Sequence, residues 1–457
     1  MKTIFILTSG GDAPGMNAAV RAVAKVAAAA GVRTVGVLDG YDGLMDGRWK
    51  ELTQPSDSGL AVIPDLDTAG SLGGTLIGSA RSARFRTVEG RREAIARLKD
   101  AAGLIVVGGD GSLTGAHLLS TECELPIIGI PASIDNDIGC TATAIGVDTA
   151  LNTIVESCDR ICDTAISHRR AFVVEVMGRH SGYLAMASAI AAGADAVLFR
   201  EQAGSEDDIV ATVSKAIRSA FDSEVGKRRV LILKAEGVDI PCTRLVRRVE
   251  ETLGPVLPGV EIRATVLGHL VRGGRPSFQD RMVAARLGRA AVVALLRGER
   301  DQMVGWQKSH PSGLPTEDPS VYRHPLGQVL AETKALLDGT SPVTKWRVQM
   351  MSEMSGVPDA QMKRIASLYQ KPVHFERRVN HTKWCVLRWP TPSRISTTWE
   401  KPSFCASSVT CSTRACSSDS SCMGLPNEKG PAGLFQVALR ERGQLLAQLP
   451  FIARQGQ

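Results

Sequence analysis

Apolar positions in the first 300 residues form short β-branched runs that alternate with longer alanine-rich stretches. The short runs are typical of buried strands, and the longer stretches have the spacing of helices. Strands are predicted at 3–8, 34–38, 104–107, 126–130, 171–176 and 229–233, and helices at 15–30, 91–98, 150–163, 207–221 and 281–296. The alternation predicts an α/β fold with mostly parallel sheets, in which ligands bind beyond the carboxyl ends of the strands.

This pattern ends near residue 356. Residues 371–457 hold three tryptophans and five of the ten cysteines in a segment rich in Ser, Thr, Pro and Arg, with no sustained helical or strand period. We expect the C-terminal tail, residues 357–457, to be irregular and either disordered or poorly packed. A zinc site at Cys405, Cys411, Cys416 and Cys422 is the alternative, but their spacing matches no common zinc pattern.

Composition and charge limit the possible partners. The chain has 457 residues, 44% apolar and 22% charged, which is enough for one large or two ordinary domains. The tail holds 14 of the 54 basic and 6 of the 47 acidic residues, a net charge of +8, so the rest carries −1. We therefore expect no nucleic-acid partner. The absence of a long apolar run or a secretory leader predicts no membrane contact, a cytoplasmic location and free thiols.

Two glycine-rich turns follow predicted strands. Residues 8–15 read TSGGDAPG before a helix, and residues 106–112 read VVGGDGS after another strand. Backbone N–H groups and a helix N-terminus at such turns bind phosphate, and Asp110 suits Mg²⁺ held largely by water and phosphate oxygens. A tight strand-to-helix bend also explains either turn alone, but the two together favour phosphate binding. The sequence has neither a Walker-type P-loop nor a complete GxGxxG motif after a strand.

An acid pair follows a third strand. Asp135 and Asp137 lie two residues apart in PASIDND, residues 131–137. Two close, partly desolvated carboxylates separate each other's pKa values, which leaves one able to accept a proton from a hydroxyl. A solvated acidic loop is the simpler interpretation of the pair in isolation. Arginines in other turns favour phosphoryl transfer, because guanidinium groups bind phosphate oxygens; they are Arg81, Arg170, Arg179, Arg263 and Arg272, with His269 between the last two.

Six motifs carry a family resemblance; they are LTSGGDAPGMN (7–17), GGTLIGSAR (73–81), GGDGS (108–112), SIDND (133–137), EVMGR (175–179) and RATVLGHLVR (263–272). Through them the chain resembles the 6-phosphofructokinase family from residue 3 to about 305, and more loosely to about 356. The resemblance implies two Rossmann-like domains with the active site in the cleft between them, in a homotetramer or homodimer that shares active sites across subunits. We predict a nucleotide-binding domain at 1–146 and 271–320, and a sugar-phosphate-binding domain at 147–270 and 321–356.

The resemblance also implies residue roles in a glycolytic kinase that transfers a phosphoryl group from ATP to the 1-hydroxyl of fructose 6-phosphate. Asp135 would deprotonate the hydroxyl, and Arg81 and Arg179 would stabilise the migrating group. ATP, with Mg²⁺ on Asp110, would bind to Gly11, Arg81, Ser82, Gly109, Asp110, Gly111 and Ser112. The sugar phosphate would bind to Ser133, Asp135, Asp137, Met177, Gly178, Arg179, Glu236, His269 and Arg272, with Arg170 and Arg263 reaching from a neighbouring subunit. Met177 and His269 are equally explained as packing residues.

Two positions bear on the phosphoryl donor. Pyrophosphate users in the family resemble GGDDS and PKTIDND, where the added carboxylate crowds the nucleotide α-phosphate and the lysine serves the shorter donor. Gly111 and Ala132 stand at those places and are small, so we expect ATP. The alternatives are a pyrophosphate-dependent phosphotransferase, a related kinase acting on NAD or lipid, and a catalytically silent regulatory or binding subunit. The presence of Asp110, Asp135 and Arg179 opposes the last.

Four positions bear on regulation. Bacterial relatives bind effectors in a basic pocket between subunits, and Arg21, Lys25 and Lys227 match positions of that pocket, whereas Cys162 replaces an arginine. A missing guanidinium removes an anion contact, so we expect an allosteric enzyme with weakened or altered effector control. A solvated helix face is the alternative for Arg21 and Lys25.

Overall fold

The computed structural model describes residues 2–201, 204–222 and 226–354. The predicted tail and the cysteines of the zinc alternative lie outside these residues. None of the described helices is long and apolar enough to cross a membrane. The five cysteines within the described part are free thiols.

The described chain alternates strands and helices as the sequence predicts. The strands are β1 (Thr3–Ser9), β2 (Arg33–Val37), β3 (Trp49–Glu51), β4 (Thr53–Ser56), β5 (Gly59–Val62), β6 (Gly103–Gly108), β7 (Ile127–Pro131), β8 (Ala171–Val176), β9 (Ala196–Leu198), β10 (Val230–Ala235), β11 (Ile262–Val266), β12 (Gln302–Trp306), β13 (Leu314–Pro315) and β14 (Val321–Pro325). The helices are α1 (Met16–Ala29), α2 (Gly40–Asp46), α3 (Pro64–Ala69), α4 (Val88–Arg97), α5 (Asp110–Glu122), α6 (Val147–His168), α7 (Tyr183–Ala192), α8 (Glu206–Asp222), α9 (Cys242–Leu253), α10 (Phe278–Leu296), α11 (Leu326–Leu337) and α12 (Pro342–Met354). Each predicted strand and helix corresponds to one of these elements.

Two sheets organise the molecule. The larger has eight strands in the order β13-β14-β12-β7-β6-β1-β2-β3, and the smaller has four in the order β11-β8-β10-β9. In the larger sheet β2, β1, β6, β7 and β12 run parallel, and the antiparallel strands lie at its two edges. All pairs in the smaller sheet are parallel. The mostly parallel α/β prediction is therefore confirmed, and β4 and β5 add a small hairpin that it did not include.

The central strands of the larger sheet are buried on both faces. Every residue of β6 and β7 is buried, which matches the continuous apolar runs in the sequence. Helices α1 and α10 cover one face and pack closely, because a β-carbon at Gly288 would lie 2.9 Å from the Ala22 Cβ atom. The small residues of both helices allow that approach, and the apolar core lies between them and the sheet.

The smaller sheet contains a charged pair that the apolar pattern did not predict. The predicted strand at 229–233 ends before Lys234, whereas β10 continues through Lys234 to Ala235. Lys234 is 1% exposed, and its Nζ atom lies 2.9 Å from the Glu175 Oε2 atom on β8. Lys234 and Glu175 are register partners, so the neighbouring strand compensates the buried ammonium.

The C-terminal elements divide between the two sheets. β14 lies in the range 321–356 that the sequence assigns to the sugar-phosphate domain, but it pairs antiparallel with β12 in the larger sheet. That part of the predicted boundary is therefore wrong. Helix α11 packs on α5, whereas α12 packs on α7 beside the smaller sheet. The remaining domain boundaries stay a prediction.

A buried carboxylate ties α10 to the start of α6. Asp280 is 1% exposed and accepts hydrogen bonds from the Gly146 and Thr149 backbone N–H groups at 2.8 Å each. The Thr149 hydroxyl donates a third bond at 2.5 Å. Asp280 therefore satisfies otherwise free N-terminal donors of α6 and holds that helix against α10.

We expect Asp280→Ala to lower the free energy of unfolding by about 3 kcal/mol, because it leaves three buried donors without an acceptor. Urea unfolding followed by circular dichroism measures the change. Gln279→Ala, at the half-exposed neighbouring position, is the control and should change stability by less than about 0.5 kcal/mol. A loss below about 1 kcal/mol in Asp280→Ala would contradict this role.

Candidate active site

Three turns come together at one edge of the larger sheet. Register pairs Ser9 at the end of β1 with Gly108 at the end of β6, and Gly108 with Pro131 at the end of β7. The first glycine turn (10–15), the second glycine turn (108–112) and the acid turn (133–137) therefore begin side by side. The structure places the three motifs at the same edge, as expected for the carboxyl ends of parallel strands.

The first glycine turn ends in a conformation that favours glycine. Gly15 has φ +108°, and a β-carbon there would lie 2.7 Å from the Ile145 Cγ2 atom. Gly15 is the N-cap of α1 and forms no side-chain cap, so backbone N–H groups of the first helical turn remain available to an anion. Gly11 lies beside a cation, because a β-carbon at Gly11 would lie 3.0 Å from the Arg272 Nη1 atom.

The loop at 72–82 packs against the first glycine turn. The Asn17 side chain donates to the Gly73 carbonyl at 3.2 Å and accepts from the Leu76 N–H at 2.6 Å. The Ser79 hydroxyl donates to the Gly10 carbonyl at 2.7 Å. Arg81 at the end of this loop is exposed. The loop thus places an exposed cation next to the turn that is predicted to bind phosphate.

Ser82 is engaged within the fold. Its hydroxyl donates to the Asp42 carboxylate and accepts from the Phe85 N–H at 3.1 Å. Through these two contacts Ser82 stabilises the 82–85 turn. Its contact with the nucleotide stays a prediction.

The second glycine turn leads directly into α5. A β-carbon at Gly108 would lie 2.5 Å from the Ser9 carbonyl oxygen, which is why no side chain fits there. Asp110 is the first residue of α5. Burial, and secondarily the Asp137 carboxylate, raises the pKa of Asp110. The carboxylate charge is therefore costly at this point, and a nearby cation would offset that cost.

The acid turn is fixed by its own side chains. The Ser133 hydroxyl donates to Asp137 Oδ1 at 2.8 Å. Asn136 has φ +47° and holds the following loop, because its carboxamide oxygen accepts from the Ala144 N–H at 3.2 Å. Asp135 Oδ1, in contrast, is buried and has no hydrogen-bond partner among the described residues. One carboxylate of the pair is thus held in place while the other remains available.

The electrostatic surroundings of Asp135 are mixed. Burial and the nearby Asp137 raise the pKa of Asp135 to about 6. Arg272 and Arg179 act in the opposite direction, and Glu236 adds to the rise. A carboxyl group with this pKa is ionised at neutral pH and is still basic enough to take a proton from a substrate.

Two loops of the smaller sheet face the acid turn. Register pairs Val176 of β8 with Ala235 of β10, so the residues that follow these strands lie together. The Glu236 N–H donates to the Val176 carbonyl at 2.9 Å, and the Gly237 N–H donates to the Gly178 carbonyl at 3.3 Å. Arg179 Nε lies 4.0 Å from Glu236 Oε1, and the Arg179 side chain is 73% exposed. Arg179 thus points a largely free guanidinium from this loop.

A third segment joins the two sheets at the site. The 3₁₀ turn Gly268–Arg272 follows β11, and Arg272 Nη1 donates to the Asp12 carbonyl at 3.2 Å. Arg272 therefore touches the first glycine turn and also acts on Asp135. His269 on the same turn is exposed, whereas Met177 is 7% exposed.

Two predicted arginines lie apart from this group. Arg170 Nε and Arg263 Nη2 both contact Glu261 Oε2, at 2.6 and 2.9 Å. Within the described ranges no hydrogen bond or ion pair joins either arginine to the acid turn. Arg263 lies on the edge strand β11, and Arg170 directly precedes its partner strand β8. Both arginines are therefore at the surface of the single chain.

The comparisons with known proteins agree with this geometry. The chain matches the family model named Phosphofructokinase over residues 3–295. An ATP-dependent 6-phosphofructokinase from Brevibacillus brevis is 43% identical over 328 residues, which cover 71% of this chain and 96% of the relative. The chain belongs to the phosphofructokinase family.

Solved phosphofructokinase structures share the fold. Phosphofructokinase from Saccharomyces cerevisiae superposes with a TM-score of 0.65 at 32% identity; the match covers 80% of this chain and 50% of the yeast chain, so this chain spans half of its length. A pyrophosphate-dependent phosphofructokinase from Nitrosospira multiformis gives a TM-score of 0.61 at 21% identity, with 72% of this chain and 84% of that one covered. The second likeness concerns the fold alone.

One residue outside the motifs also lies beside the acid turn of this phosphofructokinase. Arg347 of α12 lines a small pocket together with Asp137, Ser181 and Glu201. Arg347 lies outside every motif, and only its place on a C-terminal helix brings it there. Sequence alone gives no signal for it.

Proposed function

We propose that this phosphofructokinase transfers the terminal phosphoryl group of ATP to the 1-hydroxyl of fructose 6-phosphate, giving fructose 1,6-bisphosphate and ADP. The observation that carries the proposal is Asp135, a carboxylate with a pKa of about 6 and one buried, unpartnered oxygen among the described residues. Asp135 lies next to the two glycine turns, and the positive charges of Arg272 and Arg179 act on its carboxylate. The Brevibacillus relative, matched over 96% of its length, carries the name of this activity.

The nucleotide would bind at the two glycine turns. The N-termini of α1 and α5 point their backbone donors toward this edge of the sheet. We assign the contacts to Gly11, Arg81, Ser82, Gly109, Asp110, Gly111 and Ser112. Ser112 is buried, and its carbonyl accepts from the Tyr41 hydroxyl at 2.7 Å, which fixes the turn.

Asp110 fits the requirements of Mg²⁺. Mg²⁺ is bound in phosphoryl-transfer sites through one or two carboxylates together with phosphate oxygens and water. No group of three or more metal-binding side chains occurs in the described part of the chain, and burial together with the Asp137 charge raises the pKa of Asp110, a cost that a bound cation would offset. Asp110 would hold Mg²⁺ arriving with ATP, and the ion would supply charge neutralisation at the phosphates.

Asp135 would act as the base. The 1-hydroxyl gives its proton to the Asp135 carboxylate while its oxygen forms a bond to the terminal phosphorus. The bond from that phosphorus to the bridging oxygen of ADP breaks. Arg179 and Arg81 would stabilise the negative charge on the moving group, which is where most of the rate enhancement of such reactions arises.

The sugar phosphate would bind across both sheets. We assign it to Ser133, Asp135, Asp137, Met177, Gly178, Arg179, Glu236, His269 and Arg272. Arg170 and Arg263, held together by Glu261 beside an edge strand, would reach the site of a neighbouring subunit. The position of these two arginines supports a homodimer or homotetramer with shared sites. We place the protein in the cytoplasm, where glycolysis takes place.

Effector control would be weak or altered. Arg21 and Lys25 both contact the Asp67 carboxylate, at 2.7 and 3.0 Å, and hold the pKa of Asp67 below its usual value. Lys227 pairs with Asp195. An anionic effector would compete with these carboxylates for the predicted cations, which supports the expectation drawn from Cys162.

A coupled assay of the purified protein tests the proposal directly. We expect activity with ATP and Mg²⁺ to exceed that with pyrophosphate by at least about tenfold, because Gly111 and Ala132 leave room for the nucleotide. Fructose 1,6-bisphosphate formation is measured with each donor, with and without a chelator. The reverse ranking would favour the pyrophosphate alternative, and no turnover with either donor would favour the silent subunit.

The pH dependence of kcat/KM, which reports ionisations of the free enzyme, tests Asp135 as the base. The pKa of about 6 lies above the ordinary value of 3.8, so the carboxyl is mostly protonated and inactive below pH 6, and kcat/KM should rise through about pH 6. Asp135→Asn should lower kcat by about 100-fold or more. Asp137→Asn should move the acid limb to lower pH, because Asp137 raises the pKa of Asp135.

Asp100→Asn is the matched control, since Asp100 is an exposed carboxylate, and its acid limb should coincide with that of the wild type. An acid limb that stays in place in Asp137→Asn, or full turnover in Asp135→Asn, would remove Asp135 from the base role.

Gly111→Asp tests the donor site. A β-carbon at Gly111 meets no atom within 4 Å, so the side chain fits and the melting temperature should not change. The added carboxylate would repel the nucleotide phosphates, and we expect kcat/KM for ATP to fall about 30-fold. Gly111→Asn has the same size without the charge and should stay within about threefold of the wild type. Equal losses in both variants would show that size, not charge, decides.

A further inference from the structure

Helix α12 reaches the predicted active site from the C-terminal end of the described chain. It packs on α7, and the turn before it is fixed by Thr344, whose hydroxyl donates to the Leu336 carbonyl at 3.0 Å. Arg347 extends from α12 over the Tyr183 ring, with 4.4 Å between its guanidinium carbon and the ring centroid. Such stacking fixes the direction of a guanidinium.

The Arg347 side chain shares a small pocket with two acidic groups from different parts of the chain, and no direct ion pair joins it to either of them among the described residues. Asp137 belongs to the acid turn after β7, and Glu201 follows β9. Both line one pocket with Arg347 and both act on its charge. Burial lowers the pKa of Arg347, and Tyr183, Glu201 and Asp137 oppose that effect.

The acidic neighbours of Arg347 are each anchored to the site. Glu201 Oε1 accepts from the Gly182 N–H at 2.8 Å, and Gly182 lies in the loop that carries Arg179. Glu201 Oε2 is buried without a hydrogen-bond partner in the described ranges. On the other side, Asp137 Oδ1 accepts from Ser133.

The C-terminal helices also hold the exit of the acid turn. The Gly139 N–H donates to the Thr333 hydroxyl of α11 at 2.8 Å, and Thr333 is 2% exposed. The backbone just after Asp137 is therefore fixed by α11, and the Asp137 charge is faced by α12. The same pair of helices contacts both halves of the site.

Packing alone does not require a cation at this position. The pocket also contains Met186, Leu336 and Leu337, and an apolar side chain of equal length would be buried there at lower cost than a charge. The two carboxylates that face Arg347 come from the two sheets. A positive charge in the pocket they share attracts both carboxylates and so favours the approach of the two loops that carry them.

We propose that Arg347 is a positioning residue that links the acid turn, through Asp137, to the loop of Arg179, through Glu201, and so sets the geometry of phosphoryl transfer. This inference rests on the proposed function. Arg347 touches neither substrate; it acts by holding Asp137 and the 178–182 loop in register. Through Arg347, helix α12 at the C-terminal end of the described chain influences the rate of turnover.

Arg347→Met tests the link in the full-length protein. Methionine keeps an unbranched, flexible side chain and removes the charge together with the guanidinium stack on Tyr183. We expect kcat to fall about 30-fold, with KM for both substrates within about threefold, because positioning affects the transfer step more than binding. Arg347→Lys restores the charge and should return kcat to within about fivefold. Lys345→Met, on an exposed position of the same helix, is the control and should match the wild type.

A double-mutant cycle identifies the partner. Asp137→Asn removes the carboxylate that Arg347 faces, so Arg347→Met should cost less than about threefold in kcat in that background. Full additivity of the two losses would overturn the proposal, as would wild-type kcat in Arg347→Met or an equal loss in Arg347→Lys. Should Arg347→Met fail to fold by circular dichroism, Arg347→Gln takes its place. An inactive wild type would overturn the proposed function and this inference together, whereas an active wild type with an equally active Arg347→Met would overturn this inference alone.

Discussion

The parallel register of β1, β6 and β7 is the constraint on which the site depends. It brings the strand ends at Ser9, Gly108 and Pro131 level with one another, so three turns that are far apart in sequence open at one edge. A one-residue change in either pairing would displace a turn by about 3.3 Å and send its side chains to the other face. The fully buried strands β6 and β7 hold that register, because a one-residue shift would exchange the side chains that pack on their two covered faces.

Charge balance at the shared edge follows from this register. Asp137 is brought close enough to Asp110 and Asp135 to add to the rise that burial causes in the pKa of both. The cations that moderate this effect come from the other sheet and from the turn after β11, through Arg179 and Arg272. Burial raises the free energy of an ionised carboxylate in this setting and so lowers the stability of the folded state. The fold nevertheless keeps such a carboxylate at Asp135, where a proton would be accepted.

The sequence predicted the strands, the principal helices and the three turns, because their signals are local. Apolar runs mark buried strands, and Gly15 marks a backbone conformation that other residues avoid. Predictions from local patterns failed where the partner of a residue or strand comes from a remote part of the chain. The predicted strand at 229–233 stops before Lys234, whereas β10 continues through it because Glu175 on the neighbouring strand compensates the buried ammonium. Residues 321–356 were predicted to belong to the sugar-phosphate-binding domain, whereas β14 pairs with β12 of the larger sheet, a partner that its own residues do not reveal.

By itself the sequence determined which chemical groups are available: glycine turns for phosphate, an acid pair and a set of arginines. Only the tertiary structure decided which of them meet. It joined Arg272 to the first glycine turn, gave Asp135 a buried oxygen without a partner among the described residues, and brought Arg347 to the acid turn from a helix outside every motif. The physical reason is that proton affinity and charge pairing depend on distance and burial. Both are set by strand order and helix packing between residues remote in the chain.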